Sequence, residues 1–209
     1  NAFREFADNP ESQATRALVK ENAKLMTEDF HRIHNQLNDI QRDLDNQIQA
    51  QVGQVNSYCK EIADLNEKIV QVEITGHKAN DERDRRDLVL KKLGELVNIR
   101  YGESDQGQVA VTIGNTALMV SGSEFNEMHV KRTPETDYKR AGNFDIYFQN
   151  APPHGSEFVV TRELTGGQIG GALNVRDEVI NDLHQKTNNI AYTIADAVKT
   201  GIAGAGGMP

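Results

Sequence analysis

The 209 residues carry 23 Lys and Arg against 31 Asp and Glu, a formal net charge of −8, which excludes a surface built to collect phosphates and with it a nucleic-acid partner. Apolar residues make up 37% and aromatics 6%, with no Trp, against roughly 45–50% apolar (Gly included) in ordinary globular domains, so the core is thin and suits long helices that each bury a narrow stripe. The single cysteine, Cys59, excludes an internal disulfide framework and a cysteine-clustered zinc site, and no apolar run approaches the ~20 residues that cross a bilayer, so no membrane insertion is expected.

The chain starts at Asn1 without Met or a signal-peptide pattern and is read as a piece of a larger protein. Asn9, Pro10, Glu11 and Ser12 form a turn with capping residues, and from there to Val72 no proline occurs. Phe30, Ile33, Leu37, Ile40, Leu44, Ile48, Val52, Val55, Cys59, Ile62, Leu65, Ile69 and Val72 recur every three or four residues among polar neighbours. That seam predicts one long helix over about 12–73, weakened at Gly53 and departing from a strict heptad between Ile40 and Val52. Thr75, Gly76 and His77 stop it.

A second helix is predicted over about 80–97, with Leu88, Leu93, Leu96 and Val97 inward and three i,i+4 ion pairs: Asp81 with Arg85, Glu82 with Arg86, Asp87 with Lys91. The period then changes to two. Strands are predicted at Val109 to Ile113, Ala117 to Val120, Phe125 to Lys131, Phe144 to Phe148 and Phe158 to Arg162. A last helix over Gly171 to Lys199 carries Ile180, Leu183, Ile190, Ile194 and Ala197 on the stripe that lies along the first helix, and Gly201 to Gly207 read as a flexible tail.

The fold class is therefore α+β: an elongated rod of long antiparallel helices, with a small antiparallel β region inserted before the last helix. The segments are 1–98 for the helical rod, 99–164 for the β insertion, 165–200 for the returning helix and 201–209 for the tail.

Several groups invite a chemical reading. Thr165, Gly166, Gly167, Gln168, Ile169, Gly170 and Gly171 follow a predicted strand and open a helix, but Gln168 and Ile169 stand where a dinucleotide fingerprint needs Gly, and no Lys follows as a P-loop requires. A compact turn using positive φ and close backbone approach explains the glycines. His31 and His34 sit one helical turn apart near Glu28 and Asp29, without the further ligands a metal site needs. Cys59 falls on the apolar stripe as a small hydrophobe. Asp81, Glu82, Asp84 and Asp87 are interrupted by Arg83, Arg85 and Arg86, which suits a salt-bridged face and not a calcium loop. No nucleophile elbow or HExxH motif occurs. The expectation is a non-enzyme with no catalytic residue, no cofactor and no metal; the competing reading, a helical adhesin or secreted enzyme fragment, would need convergent side chains among Tyr138, His154 and Glu157.

Four stretches together resemble the hook-associated protein 1 (FlgK) family of the bacterial flagellum: residues 2–12; Ile62 to Ile69; Asn80, Asp81, Asp84, Arg86 and Asp87 running into Leu93 and Leu96 to Ile99; and Gly166, Gly167, Gly170 and Gly171 followed by Arg176 and Asp177. The last two are the most specific. They mark Asn80, Asp81, Asp84, Arg86, Asp87, Gly166, Gly167, Gly170, Gly171, Arg176 and Asp177 as a structural signature. The resemblance implies an extracellular subunit of the hook–filament junction, exported by the flagellar type III system and packed against copies of itself, the hook protein and the second hook–filament junction protein. The terminal segments that carry the family's export signal and chaperone contact have no counterpart in these residues. Flagellin or the second junction protein, which share a helical rod around a β region, is the alternative.

Overall fold

The computed structural model describes residue 6 and residues 11–133, 143–150 and 155–205. Helix α1 runs Gln13–Ile74 as a single element of 62 residues. Ser12 caps it: its Oγ accepts from the Thr15 amide at 3.4 Å and its carbonyl from the Arg16 amide at 3.1 Å. The helix passes through Gly53 unbroken and stops where the sequence places the stop. There Gly76 takes φ +84°, and the Thr75 and Gly76 amides donate to the Val72 and Glu73 carbonyls.

Helix α2 follows at Asn80–Leu96 and buries Arg86, Val89, Leu90, Leu93 and Leu96. Leu88, expected inward, is 53% exposed. The inward face is set by Arg86 and Leu90, and a residue two positions from either lies some 200° around the helix. The expected pairings within α2 are also replaced at two positions. Arg85 reaches Glu61 on α1, and Arg86 turns into the core.

Among the described residues, seven strands then build two antiparallel sheets: β1 Ile99–Glu103, β2 Val109–Ile113, β3 Ala117–Ser121 and β4 Glu124–Phe125 in consecutive order, and β5 Glu127–Arg132, β6 Phe144–Gln149 and β7 Glu157–Val159 in consecutive order. The alternation in β2 puts Val109, Val111 and Ile113 inside. The expected strand from Phe125 to Lys131 is divided between the two sheets. Asn126 makes the break, its amide donating to the Met119 carbonyl at 2.8 Å and its side chain to the Leu118 carbonyl at 2.7 Å. The last strand ends at Val159, earlier than expected, because Thr161–Glu163 form a 3-10 turn.

Helix α3, Gly167–Asn174, passes through a π-helical segment, Val175–Val179, into α4, Ile180–Ala205. The contacts fall into two compact units, Gln41–Val179 and the pair Asn1–Ile40 with Ile180–Pro209. Within the first, Ile48, Val52, Val55, Cys59 and Ile62 of α1 pack with Leu93 of α2, Val111 and Met119 of one sheet, Ile146 and Phe148 of the other, and Ile169 of α3. Helix and sheet together bury the α1 stripe from Ile48 to Ile69, with Leu44 and Val72 half-buried at its ends.

In the second unit Ile33 and Ile40 stay 39% and 47% exposed. Among the described residues there, helix packs on helix, and that seam is narrower than one covered by sheets. On α4 the expected stripe is met in part, with Ile180 buried and Ile194 in the groove against α1. Leu183 and Ile190 are 43% and 54% exposed, while Thr187, Ala191, Ile194 and Val198 line the groove against α1. Thr187 and Ala191 are small or half-polar, which hides them from a reading by apolar spacing.

Candidate functional site

Two seam positions of α1 are filled by asparagine. Asn66 is fully buried. Its Nδ2 donates to the carbonyls of Val109 and Gly122, both at 2.8 Å, and its Oδ1 accepts from the Val109 amide at 3.0 Å and from Arg86 Nη1 at 3.1 Å. Ten residues earlier, Asn56 donates to the Met128 carbonyl at 2.7 Å and accepts from the Met128 amide at 2.9 Å. Each side-chain amide thus pairs with a strand as another backbone would, one with each sheet. Asn98, just after α2, acts similarly: it donates to the Glu163 carbonyl at 3.2 Å and accepts from the Gly166 amide at 3.3 Å. None of the three belongs to the signature.

Of the α2 signature, Asn80, Asp81, Asp84 and Asp87 are exposed and only Arg86 is buried. Arg86 donates to the Gly107 carbonyl at 2.6 Å and to Glu103 Oε1 at 3.1 Å as well as to Asn66. Beside it Arg83 forks onto Glu73, Nε to Oε1 and Nη2 to Oε2, both at 2.9 Å, and also bonds Glu103. The Arg83 hydrogen bond holds the Glu73 carboxyl below its usual range. For Glu103, burial pushes the pKa up, but the hydrogen bonds from Arg83 and Arg86 outweigh it and the net direction is down. This cluster closes the end of the α1–α2 hairpin over the turn at Gly107.

The glycine signature is a joint between α2 and α3. Gly167 has φ +68°, and a Cβ placed there would lie 2.5 Å from the Leu96 carbonyl carbon and oxygen. At Gly170 it would lie 2.6 Å from the Thr165 carbonyl carbon, at Gly166 3.1 Å from Asn98 Cβ, and at Gly171 nothing stands within 4 Å. Backbone therefore packs directly against the Cα of Gly167. The glycines serve close packing at the first positions and leave Gly171 open on the surface.

Arg176, in the π-helical segment, has no exposed side-chain area. It donates to Asp45 Oδ1 at 2.6 Å, to the Phe144 carbonyl at 2.8 Å and, through Nε and Nη2, to the Asp177 carboxylate at 2.7 and 2.9 Å. Burial lowers its pKa, yet the bonds to Asp177 and Asp45 reverse that and the net shift is upward. A π-helical turn widens the helix by one residue, which brings Arg176 and Asp177 to face α1 and β6 together. Asp45 and Asn66 are 21 residues apart on α1, so the two buried arginines sit roughly 30 Å from each other and form no common site.

Among the described residues, the candidates for chemistry do not converge. Cys59 is buried, and burial pushes its thiol up to about 12. His31 and His34 line an apolar groove of about 800 Å³ between α1 and α4, and the His34 ring meets that of His184 edge-on at 4.9 Å, a partner the sequence reading missed. Among the described residues, no three His, Cys, Asp or Glu side chains could hold a metal ion. Tyr138 and His154 lie outside the described residues; Glu157 is bonded to Lys131 at 2.7 Å and to His129.

The family model of the flagellar hook-associated protein FlgK helical domain matches residues 1–202. The chain belongs to the FlgK helical-domain family. Curated relatives named flagellar hook-associated protein 1 agree: that of Salmonella typhimurium is 25% identical over 92% of this chain and 34% of its own length, and that of Bacillus subtilis 29% identical over 57% and 24%. The solved FlgK of Burkholderia pseudomallei, a flagellar hook junction protein, shares the fold with a TM-score of 0.74 at 24% identity, over 84% of this chain and 31% of that one. The chain thus spans about a third of the length of its Salmonella relative. FlgK membership separates it from flagellin and from the second junction protein.

Proposed function

We propose that this chain is the helical core of a hook–filament junction subunit, acting mechanically by packing between two flagellar tubes. The match of the FlgK helical-domain model to residues 1–202 carries the reading. The geometry supports it: Asn66, Arg86 and Arg176 in the core, and the half-buried Asn56 and Asn98, tie helices to strands and turns through their hydrogen bonds. The signature residues divide accordingly. Arg86, Gly166, Gly167, Gly170, Arg176 and Asp177 hold the unit together, while Asn80, Asp81, Asp84, Asp87 and Gly171 present surface to neighbouring subunits.

The subunit works outside the cell, reached through the flagellar type III system, and contacts copies of itself, the hook protein and the second hook–filament junction protein. Its export chaperone binds terminal segments beyond these residues. Deleting the gene tests the reading: cells should carry bare hooks without filaments, and normal filaments on the deletion strain would refute it.

A further inference from the structure

Edge strands expose a row of unpaired backbone groups, and the hydrogen-bond parity fixes which residues present them here. In the β1–β2 pair the bonds from Ser104 N to Gln108 O and from Gly114 N to Asn98 O place the even-numbered residues of β1 in the bonded pairs. The N–H and C=O of Ile99, Tyr101 and Glu103 therefore point away from the sheet, and Tyr101 is 62% exposed. In the β6–β7 pair, the bonds from Val160 N to Ile146 O and from Asn150 N to Ser156 O turn the same groups of Glu157 and Val159 outward, with Val159 46% exposed. The other two edges offer shorter open runs. Asn56 takes both backbone groups of Met128 on β5, and β4 has only two residues.

We propose that β1 of one copy pairs antiparallel with β7 of the next, joining a sheet of one subunit to a sheet of its neighbour. The inference rests on the assembly role proposed above. Two unlike open edges on one chain make a head-to-tail contact, the heterologous kind that extends without closing on itself and that a tube wall needs. Register follows from side chains. Setting Ile99 opposite Val159 and Tyr101 opposite Glu157 satisfies all four outward groups of β7 and pairs two apolar side chains. A shift by two residues would face Glu103 with Glu157, and like charges directly opposite destabilise a ladder.

The test uses full-length protein in isolated flagella, with Tyr101→Cys and Val159→Cys. Both positions are exposed, and the native Cys59 is buried, so surface thiols are addressed selectively. In the proposed register they are diagonal neighbours some ~7–8 Å apart, within reach of a short bis-maleimide. The doubly substituted protein should give a ladder of dimers, trimers and longer species. The two single variants expressed together should give dimers, and either alone should stay monomeric. Dimers from Tyr101→Cys alone would mean symmetric pairing of two β1 edges and overturn the proposal, as would cross-links to a different flagellar protein. So would the absence of cross-links where immunolabelling finds the protein at the junction, a result that leaves the functional reading intact. Absence of the unsubstituted protein from the junction sinks the functional reading and this pairing with it.

Discussion

Asn66 and Val109 exchange two hydrogen bonds, 2.8 Å from the side-chain amide to the strand carbonyl and 3.0 Å from the strand amide back to the side-chain oxygen. The helix thereby enters the sheet's hydrogen-bonding scheme at a fully buried point. Replacing Asn66 by Ala strands the Val109 amide, two carbonyls and one Arg86 donor, each of which costs about 1–3 kcal/mol when buried without a partner. Urea unfolding should show a loss of at least about 3 kcal/mol, and a smaller one for Asn56→Ala, which is only half-buried.

The contact between Arg176 and Asp45 gives a second prediction. Asp45→Ala leaves a buried guanidinium with Asp177 as its sole carboxylate partner, and breaking a buried pair from one side costs about 3–5 kcal/mol. Replacing both, Asp45→Leu with Arg176→Met, should cost clearly less than the sum of the single changes in a double-mutant cycle, because Asp45 and Arg176 lose their shared bond only once; the Asp177 carboxylate still loses its guanidinium partner.

The glycines separate by position. Gly167→Ala should be severely destabilising, since the new Cβ meets backbone at 2.5 Å and φ is +68°. Gly171→Ala should be neutral or stabilise by up to about 1 kcal/mol, because the site is open and alanine favours a helix. Thermal unfolding distinguishes the two directly, and equal losses at both would contradict the joint described between α2 and α3.

These contrasts bear on what was legible in the sequence. The long helix, its stop at Gly76 and the second helix follow from apolar spacing and turn chemistry, which are local. The asparagine seam had a signal that went unread: Val52, Asn56, Cys59 and Ile62, Asn66, Ile69 share one i, i+4, i+7 spacing, with a polar residue in the middle of each. Resemblance singled out Arg86 and Arg176 without revealing that both are buried. Their partners Asn66 and Asp45 lie 20 and 131 positions away in sequence. On α4 apolar spacing places Ile180 and Ile194 inward but passes over Thr187 and Ala191, small or half-polar side chains that fill seam positions.

His184 gives a pH prediction. Burial, and then the charge of His34, lowers its pKa from the ordinary value of 6.5. The unfolded chain therefore binds the proton first as pH falls. The contribution is complete above 6.5 and is lost progressively between 6.5 and the lower folded value. Stability measured from pH 7.5 downward should begin to fall near 6.5, and His184→Gln should flatten that slope.

Glu73 and Glu103 act at lower pH. Both carboxyls sit below the ordinary 4.5 in the folded protein, so their stabilising contribution is present above 4.5 and disappears as pH falls through the folded values. Glu103→Gln should reduce the acid dependence in that window, read by unfolding curves between pH 5 and pH 3.

In the proposed role, the chain belongs to a subunit seated between hook and filament. Immunogold labelling of isolated flagella, with antibody raised against these 209 residues, tests it most directly. The label should appear as one short zone where the hook meets the filament. Label distributed along the filament, or absent from the flagellum, would contradict it.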